Sequence, residues 1–578
     1  MPFKSPYNHV DIPKRLSVPE FILRPLDSKR DDLPLLHPSP YAGRAHSPPL
    51  SLNETRTKAY AMATQLRARG NGGFGWEKND VLILYSENQH DYLVVALAVM
   101  LAGGVAALMN PQNKQDEAVQ MMRLIKPRLI VASVATLETA QKSAAEYAGG
   151  ADAAPRCYVF EEDHAESLEK HFVVPGVARR REGDRCLERV EIDPPRDAAV
   201  YCFSSGTSGL PKVVRLSHFS IVANMIQTVV TLGGRMNKPR FDDAQWFDQP
   251  LAPPQDGTDA FHLSILPQFH CYGLLMAFAC LFTVTPCVVF ARFNVDHFFE
   301  TVQTYRVTFI FVVPPMLHAL AMSPVADKYD LSSIRSFASG AASLSKELCN
   351  LVLERHGIPV TDGYGMTEMS PVIALQTPED LGEGNLNVGR LVANTEARVL
   401  DLSTGEDVGP NAKGELWLRG PQMMLGYLEN ATANACAFVP NVAAPGRYLR
   451  TGDVVAIDER GYVTLYDRLK DIIKYNGYQV AASELEELLH AYELVLEAAV
   501  VGIRDNSTAV HNELPWAFVV PKEYAKAAPE EQRTKELLTY INSRVAGYKK
   551  IRGVSWVAAL PKTAAGKVLK RELRAHKP

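Results

Sequence analysis

After the apolar triplet Ala198-Ala199-Val200 the chain runs Tyr201-Cys202-Phe203-Ser204-Ser205-Gly206-Thr207-Ser208-Gly209-Leu210-Pro211-Lys212. Hydroxyls and glycines that follow a strand and close on a lysine make a loop whose backbone N–H groups can approach phosphate oxygens. The spacing is not that of a Walker loop, because Pro211 and Val213 stand where glycine and a hydroxyl residue are required. A plain polar turn accounts for the small residues but not for their length and terminal lysine together.

The elements that must hold this loop follow from the apolar pattern. Short Val/Ile-rich runs at Val81–Leu84, Leu129–Ala132, Leu263–Leu266, Cys287–Phe290 and Phe309–Val313 alternate with helical stretches, which predicts an α/β fold with parallel strands in layers. Tyr92–Met109 is uncharged and about long enough to cross a bilayer, but Gly103-Gly104 breaks it into a helix and a buried strand. Cys271–Ala291 is split in the same way by Thr283, Thr285 and Pro286. No transmembrane segment is expected. Residues 148–195 and 236–260 mix charge, Gly and Pro without period and read as surface insertions or long loops. Beyond about residue 470 the chain turns compact and charged, with a helix signal at Ser483–Leu489 and a strand at Ala498–Val501.

With 578 residues, the chain has room for about three to five structural units. Its 47% hydrophobic and 22% charged residues are those of a globular protein. Lys+Arg 61 against Asp+Glu 65 gives a net charge of −4, without the positive field of a nucleic-acid wrapper. Eight cysteines with no CxxC or Cys/His spacing read as reduced, buried thiols. Neither a signal-peptide core nor a Ser-Lys-Leu type tail is present, so the expected location is the cytosol.

The stretch Ser204–Lys212 resembles the signature of the adenylate-forming superfamily, the acyl-CoA synthetases and their relatives. Further segments agree in order: Leu266–Gly273, Gly340-Ala341-Ala342, Asp362-Gly363-Tyr364-Gly365-Met366-Thr367-Glu368, Gly414–Gly420, Thr451-Gly452-Asp453, Asp467–Tyr478 and Pro561–Lys567. Asp467-Arg468-Leu469-Lys470 and Lys474–Val480 are most similar to coumarate-CoA ligases and luciferases. Residues 1–50 are rich in Pro and charge and read as an extended arm laid on the surface; the resemblance implies a large multi-layer N-terminal body over 51–469 and a small mobile α+β lid over 471–578 hinged at Lys470. It implies ATP, Mg2+ and CoA as cofactors, a small carboxylic acid as substrate, and acyl-AMP formation followed by transfer to CoA. Two anionic reactants call for cations and backbone donors rather than a Ser/His/Asp triad, which is what these segments supply.

By the same resemblance, Ser204, Ser205, Gly206, Thr207, Ser208, Gly209 and Lys212 would cradle the β and γ phosphates, and Thr367 the α-phosphate. Glu368 would ligate magnesium, a hard oxygen donor for a hard ion. Asp453 and Arg468 would hold the ribose, and Ala341, Asp362, Gly363 and Tyr364 the adenine. Lys567 would bridge carboxylate and α-phosphate during adenylation, and Lys474 with Gly477 would face the adenylate during thioester formation. His270 would wall the carboxylate site, with Tyr272, Ser339, Gly340, Gly363, Met369, Pro371 and Val372 lining a mostly apolar acyl tunnel suited to an aromatic or medium-chain acid.

Without the resemblance, Lys567 reads as a solvated tail residue and His270 as a core histidine. Val213-Val214 and Ala481-Ala482 depart from the family's usual Gly-Val and Ala-Pro. His270 after Phe269 stands where amino-acid-activating relatives carry aspartate. The alternative acceptor is a carrier protein or an amine in place of CoA.

Overall fold

The computed structural model describes residues 2–575 apart from 26–30, 39–47, 70–72, 150–153, 162–165, 169, 171–189, 205–210, 233–260, 343, 378–379, 381–386, 441–445, 470, 476–477, 505–512, 524–528 and 563–566. Ser205, Gly206, Thr207, Ser208, Gly209, Lys470 and Gly477, and the whole of 236–260, therefore lie outside the described residues.

Three sheets build the larger part. A seven-stranded sheet runs Gly426–Tyr427, Lys212–Ser217, Ala198–Ser204, Val105–Leu108, Val81–Tyr85, Leu129–Ala132, Arg156–Val159. A nine-stranded sheet runs Arg390–Leu391, Val372–Leu375, Val360–Gly365, Ser336–Ser339, Val307–Val312, Phe261–Ser264, Cys287–Val289, Pro34–Pro38, Leu50–Ser51. A six-stranded antiparallel sheet is centred on Gly414–Arg419 and Arg447–Ile457. In the first two, the strands from Ala198–Ser204 to Arg156–Val159 and from Val360–Gly365 to Pro34–Pro38 pair in parallel, as their continuous apolar runs require.

The two apolar runs are core, not membrane spans. Tyr92–Leu101 is a helix whose residues Tyr92 to Met100 are all buried, and Gly103, at φ +79°, turns the chain into strand Val105–Leu108. A helix apolar on every side belongs in a protein interior. Cys271–Thr283 and Cys287–Val289 repeat the arrangement. Among the described residues no helix is long and apolar enough to cross a membrane.

The described residues among 1–50 pack into the body rather than forming a surface arm. Phe3–Lys4 pairs with Glu396–Leu400, Pro34–Pro38 extends the nine-stranded sheet beside Cys287–Val289, and Phe21 stacks on Phe282 at 4.4 Å. Prolines and charges suggested an exposed segment, but Val18, Phe21, Ile22, Leu35 and Leu36 are fully buried, and at ~1.5–3 kcal/mol per buried large side chain they fasten the segment to the core. Arg156–Val159 likewise extends the seven-stranded sheet inside the stretch expected to be an insertion.

The last hundred residues have their own core. Val495–Arg504, Glu513–Pro521 and Gly553–Trp556 form a three-stranded sheet. Helices Ala482–His490 and Glu530–Asn542 give Leu485, Leu489, Leu537 and Ile541 to a cluster with Val500 and Val519. Ser483 donates its backbone N–H to Asp467 Oδ2 at 3.2 Å, tying this unit to strand Val463–Arg468.

Candidate active site

Ser204 and Lys212 are register partners on antiparallel strands, so the two ends of the phosphate-loop segment are fixed side by side. Lys212 Nζ sits 4.9 Å from the ring centroid of Tyr427, on the neighbouring strand. The Tyr427 hydroxyl donates to Glu368 Oε1 at 2.9 Å. One aromatic ring therefore lies between the ammonium and the carboxylate, keeping each in place without joining them in an ion pair. Burial raises the Glu368 carboxyl above its ordinary range, against the lowering effect of its hydrogen bonds. Tyr427 escaped the sequence reading because its place is set by cross-strand pairing with Val214, which no local spacing encodes.

Thr367 opens a single 3₁₀ turn, Thr367–Met369, directly after strand Val360–Gly365. Its hydroxyl oxygen accepts from the Cys271 thiol at 3.5 Å. His270 caps helix Cys271–Thr283, its Nδ1 accepting from the Tyr272 N–H at 3.3 Å. That bond leaves the proton on Nε2. Burial disfavours the imidazolium, the adjacent Cys271 sulfur outweighs burial and raises the pKa, and the ammonium of Lys567 pushes it down again. Lys567, from the C-terminal unit, thus lies within electrostatic reach of His270 in the body. Lys474 is exposed, its backbone N–H donating to Glu513 Oε2 at 2.9 Å.

Asp453 and Arg468 face each other in register on strands Arg447–Ile457 and Val463–Arg468, with Arg468 Nε 2.9 Å from Asp453 Oδ1. The Tyr364 hydroxyl donates to Asp453 Oδ2 at 2.5 Å. A carboxylate offers about four lone-pair sites, so Asp453 can still accept from further hydroxyls. Tyr364 is itself buried and held end-on by this bond. Asp362 accepts from the Gly363 N–H at 2.8 Å, and burial pushes its carboxyl up to about 7. Ala341 follows strand Ser336–Ser339 at φ +69°, a left-handed turn costing roughly 1–2 kcal/mol outside glycine that leaves Ala341 exposed at the strand's C-terminal edge.

The expected acyl-tunnel residues separate into two groups. A Cβ added to Gly340 would lie 3.4 Å from the Tyr272 ring, so those two residues form one wall. Phe311 meets the Tyr272 ring edge-on at 6.1 Å. Pro371 and Val372 are buried, and Asn224 holds Val372 through both of its backbone groups, at 2.8 and 2.9 Å. Met369 is fully buried in the main core. Alternation along Ser336–Ser339 puts Ser339 on the face of Phe337, opposite Ala338, so its side chain turns away from Tyr272. Phe311 and, on the same face, His262 were not anticipated: Phe311 read as an ordinary strand residue, and His262 lies just before the strand expected at Leu263–Leu266.

Residues 47–428 match the family described as AMP-binding enzyme, and 484–567 match the AMP-binding enzyme C-terminal domain. A probable 4-coumarate–CoA ligase 1 of Dictyostelium discoideum is 31% identical over 100% of this chain and 98% of its own. The peroxisomal OPC-8:0-CoA ligase 1 of Arabidopsis thaliana is 32% identical, covering 86% of this chain and 84% of its own. The solved structure of ATP-bound MatB from Rhodopseudomonas palustris shares the fold, with a TM-score of 0.79 at 24% identity over 97% of this chain and 99% of that one. The chain belongs to the AMP-binding enzymes of the adenylate-forming superfamily and is a CoA-ligase-like enzyme within it.

Proposed function

We propose that the protein activates an aromatic or medium-chain carboxylic acid with ATP and hands the acyl group to CoA. In the first half the carboxylate oxygen attacks the α-phosphorus, the bond to the β-phosphate oxygen breaks, and acyl-AMP and pyrophosphate form. In the second, the CoA thiol attacks the acyl carbon, the thioester forms and AMP leaves. What supports this reading most is the electrostatic influence of Lys567, from the C-terminal unit, on His270, whose neighbour Cys271 donates to Thr367; an ammonium there would meet both the carboxylate and the phosphorus it attacks. Preorganised cations and donors are worth most where water is excluded.

Ser204 and Lys212, with the loop between them, would hold the outer phosphates, Thr367 the α-phosphate, Asp453 with Arg468 the ribose, and Asp362 and Tyr364 the adenine side. Glu368 supplies the hard carboxylate oxygen that suits a magnesium ion, with Tyr427 holding Oε1. Such an ion would be held by one or two carboxylates and the substrate's own phosphates. When bound, that ion would neutralise phosphate charge. The boundary near Lys470 is proposed as the hinge that would withdraw Lys567 and bring Lys474 inward for the second half.

Pyrophosphate release measured over a panel of carboxylic acids, with and without CoA, tests the reading. Acid-dependent release with thioester formation is expected. Release without thioester would transfer the second half to a carrier protein or amine, and absence of release with every acid would overturn the proposal.

A further inference from the structure

Gly426–Tyr427 is a strand of only two residues at the edge of the seven-stranded sheet, yet its backbone is held from three directions. Gly426 and Tyr427 pair with Arg215 and Val214, on the strand that begins at Lys212. The flanking Leu425 and Leu428 donate their backbone N–H groups to the carbonyls of Arg215 and Val213, each at 2.9 Å. Just upstream, the Met424 N–H donates to the backbone carbonyl of Glu368 at 2.9 Å. Asn434, on helix Ala431–Ala437, takes both backbone groups of Tyr427: its Oδ1 accepts from the Tyr427 N–H and its Nδ2 donates to the Tyr427 carbonyl, each at 2.8 Å. Gly426, at φ +136°, permits this close approach, because a Cβ there would lie 2.8 Å from Asn434 Oδ1. The segment thus ties the strand that closes the phosphate loop to the turn that carries Glu368.

On this fixed backbone the Tyr427 side chain meets two opposite charges with two different parts of itself. Lys212 Nζ lies 4.9 Å from the ring centroid, and the hydroxyl donates to Glu368 Oε1 at 2.9 Å. A cation is attracted to the negative face of an aromatic ring, whereas the hydroxyl lies in the ring plane at its edge, so neither contact competes with the other. Phenylalanine would keep the first and lose the second. An aliphatic residue would lose both, and would open the space between ammonium and carboxylate to a direct ion pair. Such a pair would neutralise the cation proposed for the phosphates and the carboxylate proposed for the metal.

We infer that Tyr427 is a positioning residue of the nucleotide site, seating the Lys212 ammonium on its ring and orienting the Glu368 carboxylate through its hydroxyl, so that phosphate and metal contacts are set by one side chain. This rests on the roles proposed above for Lys212 and Glu368, through which Tyr427 acts.

The test measures the Kd of ATP by calorimetry on the full-length protein, once with a chelator and once with excess Mg2+, for the unmodified chain, Tyr427→Phe and Tyr427→Leu. The ratio of the two constants reports how strongly metal and nucleotide support one another. Tyr427→Phe should bind metal-free ATP as the unmodified protein does, while the tightening by Mg2+ shrinks about tenfold, the loss of one hydrogen bond to a charged group. Tyr427→Leu should lose that tightening and also bind metal-free ATP about fivefold more weakly, as a cation without its ring would. Melting temperatures identify any variant that fails to fold; if Tyr427→Leu does, Tyr427→Phe against the unmodified protein decides. Full tightening by Mg2+ in Tyr427→Phe, or metal-free affinity equally reduced in both variants, would overturn the inference while leaving the nucleotide site intact. Failure of the unmodified protein to bind ATP under either condition would instead overturn the proposed nucleotide site, and the inference with it.

Discussion

Tyr364 and Asp453, from two different sheets, meet in a 2.5 Å hydrogen bond, with Arg468 holding the other carboxylate oxygen at 2.9 Å. The bond joins the nine-stranded sheet to the six-stranded one at the place proposed for the ribose. A hydrogen bond to a charged group contributes about 1.5–3 kcal/mol. Tyr364→Phe should therefore raise KM for ATP about tenfold or more and lower the melting temperature by a few degrees. Titration of initial rate against ATP checks this; an unchanged KM would separate Asp453 from nucleotide binding.

Glu368 is buried with its carboxyl raised above the usual range. A carboxyl whose folded pKa exceeds its unfolded one costs stability as pH rises from the unfolded value toward the folded one. Glu368→Gln removes that cost, so its melting temperature at neutral pH should equal or exceed that of the unmodified protein, while pyrophosphate release falls about a hundredfold. A large drop in melting temperature would give Glu368 a structural role.

Asp362 carries the same sign over a wider window. Its folded pKa of about 7 lies above the ordinary 3.8, so stability should fall as pH rises between those values and level off above. Asp362→Asn keeps an oxygen for the Gly363 N–H and should flatten that slope. If the carboxylate accepts from adenine, KM for ATP should fall as pH rises through about 7 and do so less in the variant. Denaturant midpoints and KM measured from pH 5 to 9 test both statements.

Gly340 and Gly363 should respond differently to a methyl group. At Gly340 the new Cβ would make ordinary contact with Tyr272, whereas at Gly363 it would lie 2.7 Å from Leu375 Cδ2. Gly340→Ala should shift preference toward shorter acids at nearly unchanged stability. Gly363→Ala should cost about 1–3 kcal/mol as an overpacked site. Relative kcat/KM across a chain-length series, with melting temperatures, separates the two effects.

Much of the body was legible because strands such as Val81–Tyr85 and Leu129–Ala132 are buried on both faces and therefore read as short apolar runs bounded by helices. The residues that meet in the site were legible only as segments resembling a family. Local patterns do not contain the long-range pairings that set Tyr427 between Lys212 and Glu368, or His262 beside Phe311. The first fifty residues were misread because prolines and charges dominate their composition, while their few apolar side chains determine where they pack.

The most direct measurement resolves the half-reactions of two lysine variants. Lys567 acts electrostatically on His270 and Lys474 is exposed, so each would serve a different half. Removing such a preorganised cation costs about 2.7–4 kcal/mol, or two to three orders of magnitude in rate. Lys567→Ala should lose acid-dependent pyrophosphate release yet still convert supplied acyl-AMP and CoA to thioester. Lys474→Ala should release pyrophosphate normally but transfer to CoA slowly. Loss of the same half-reaction in both variants would contradict the exchange of lysines between the two steps.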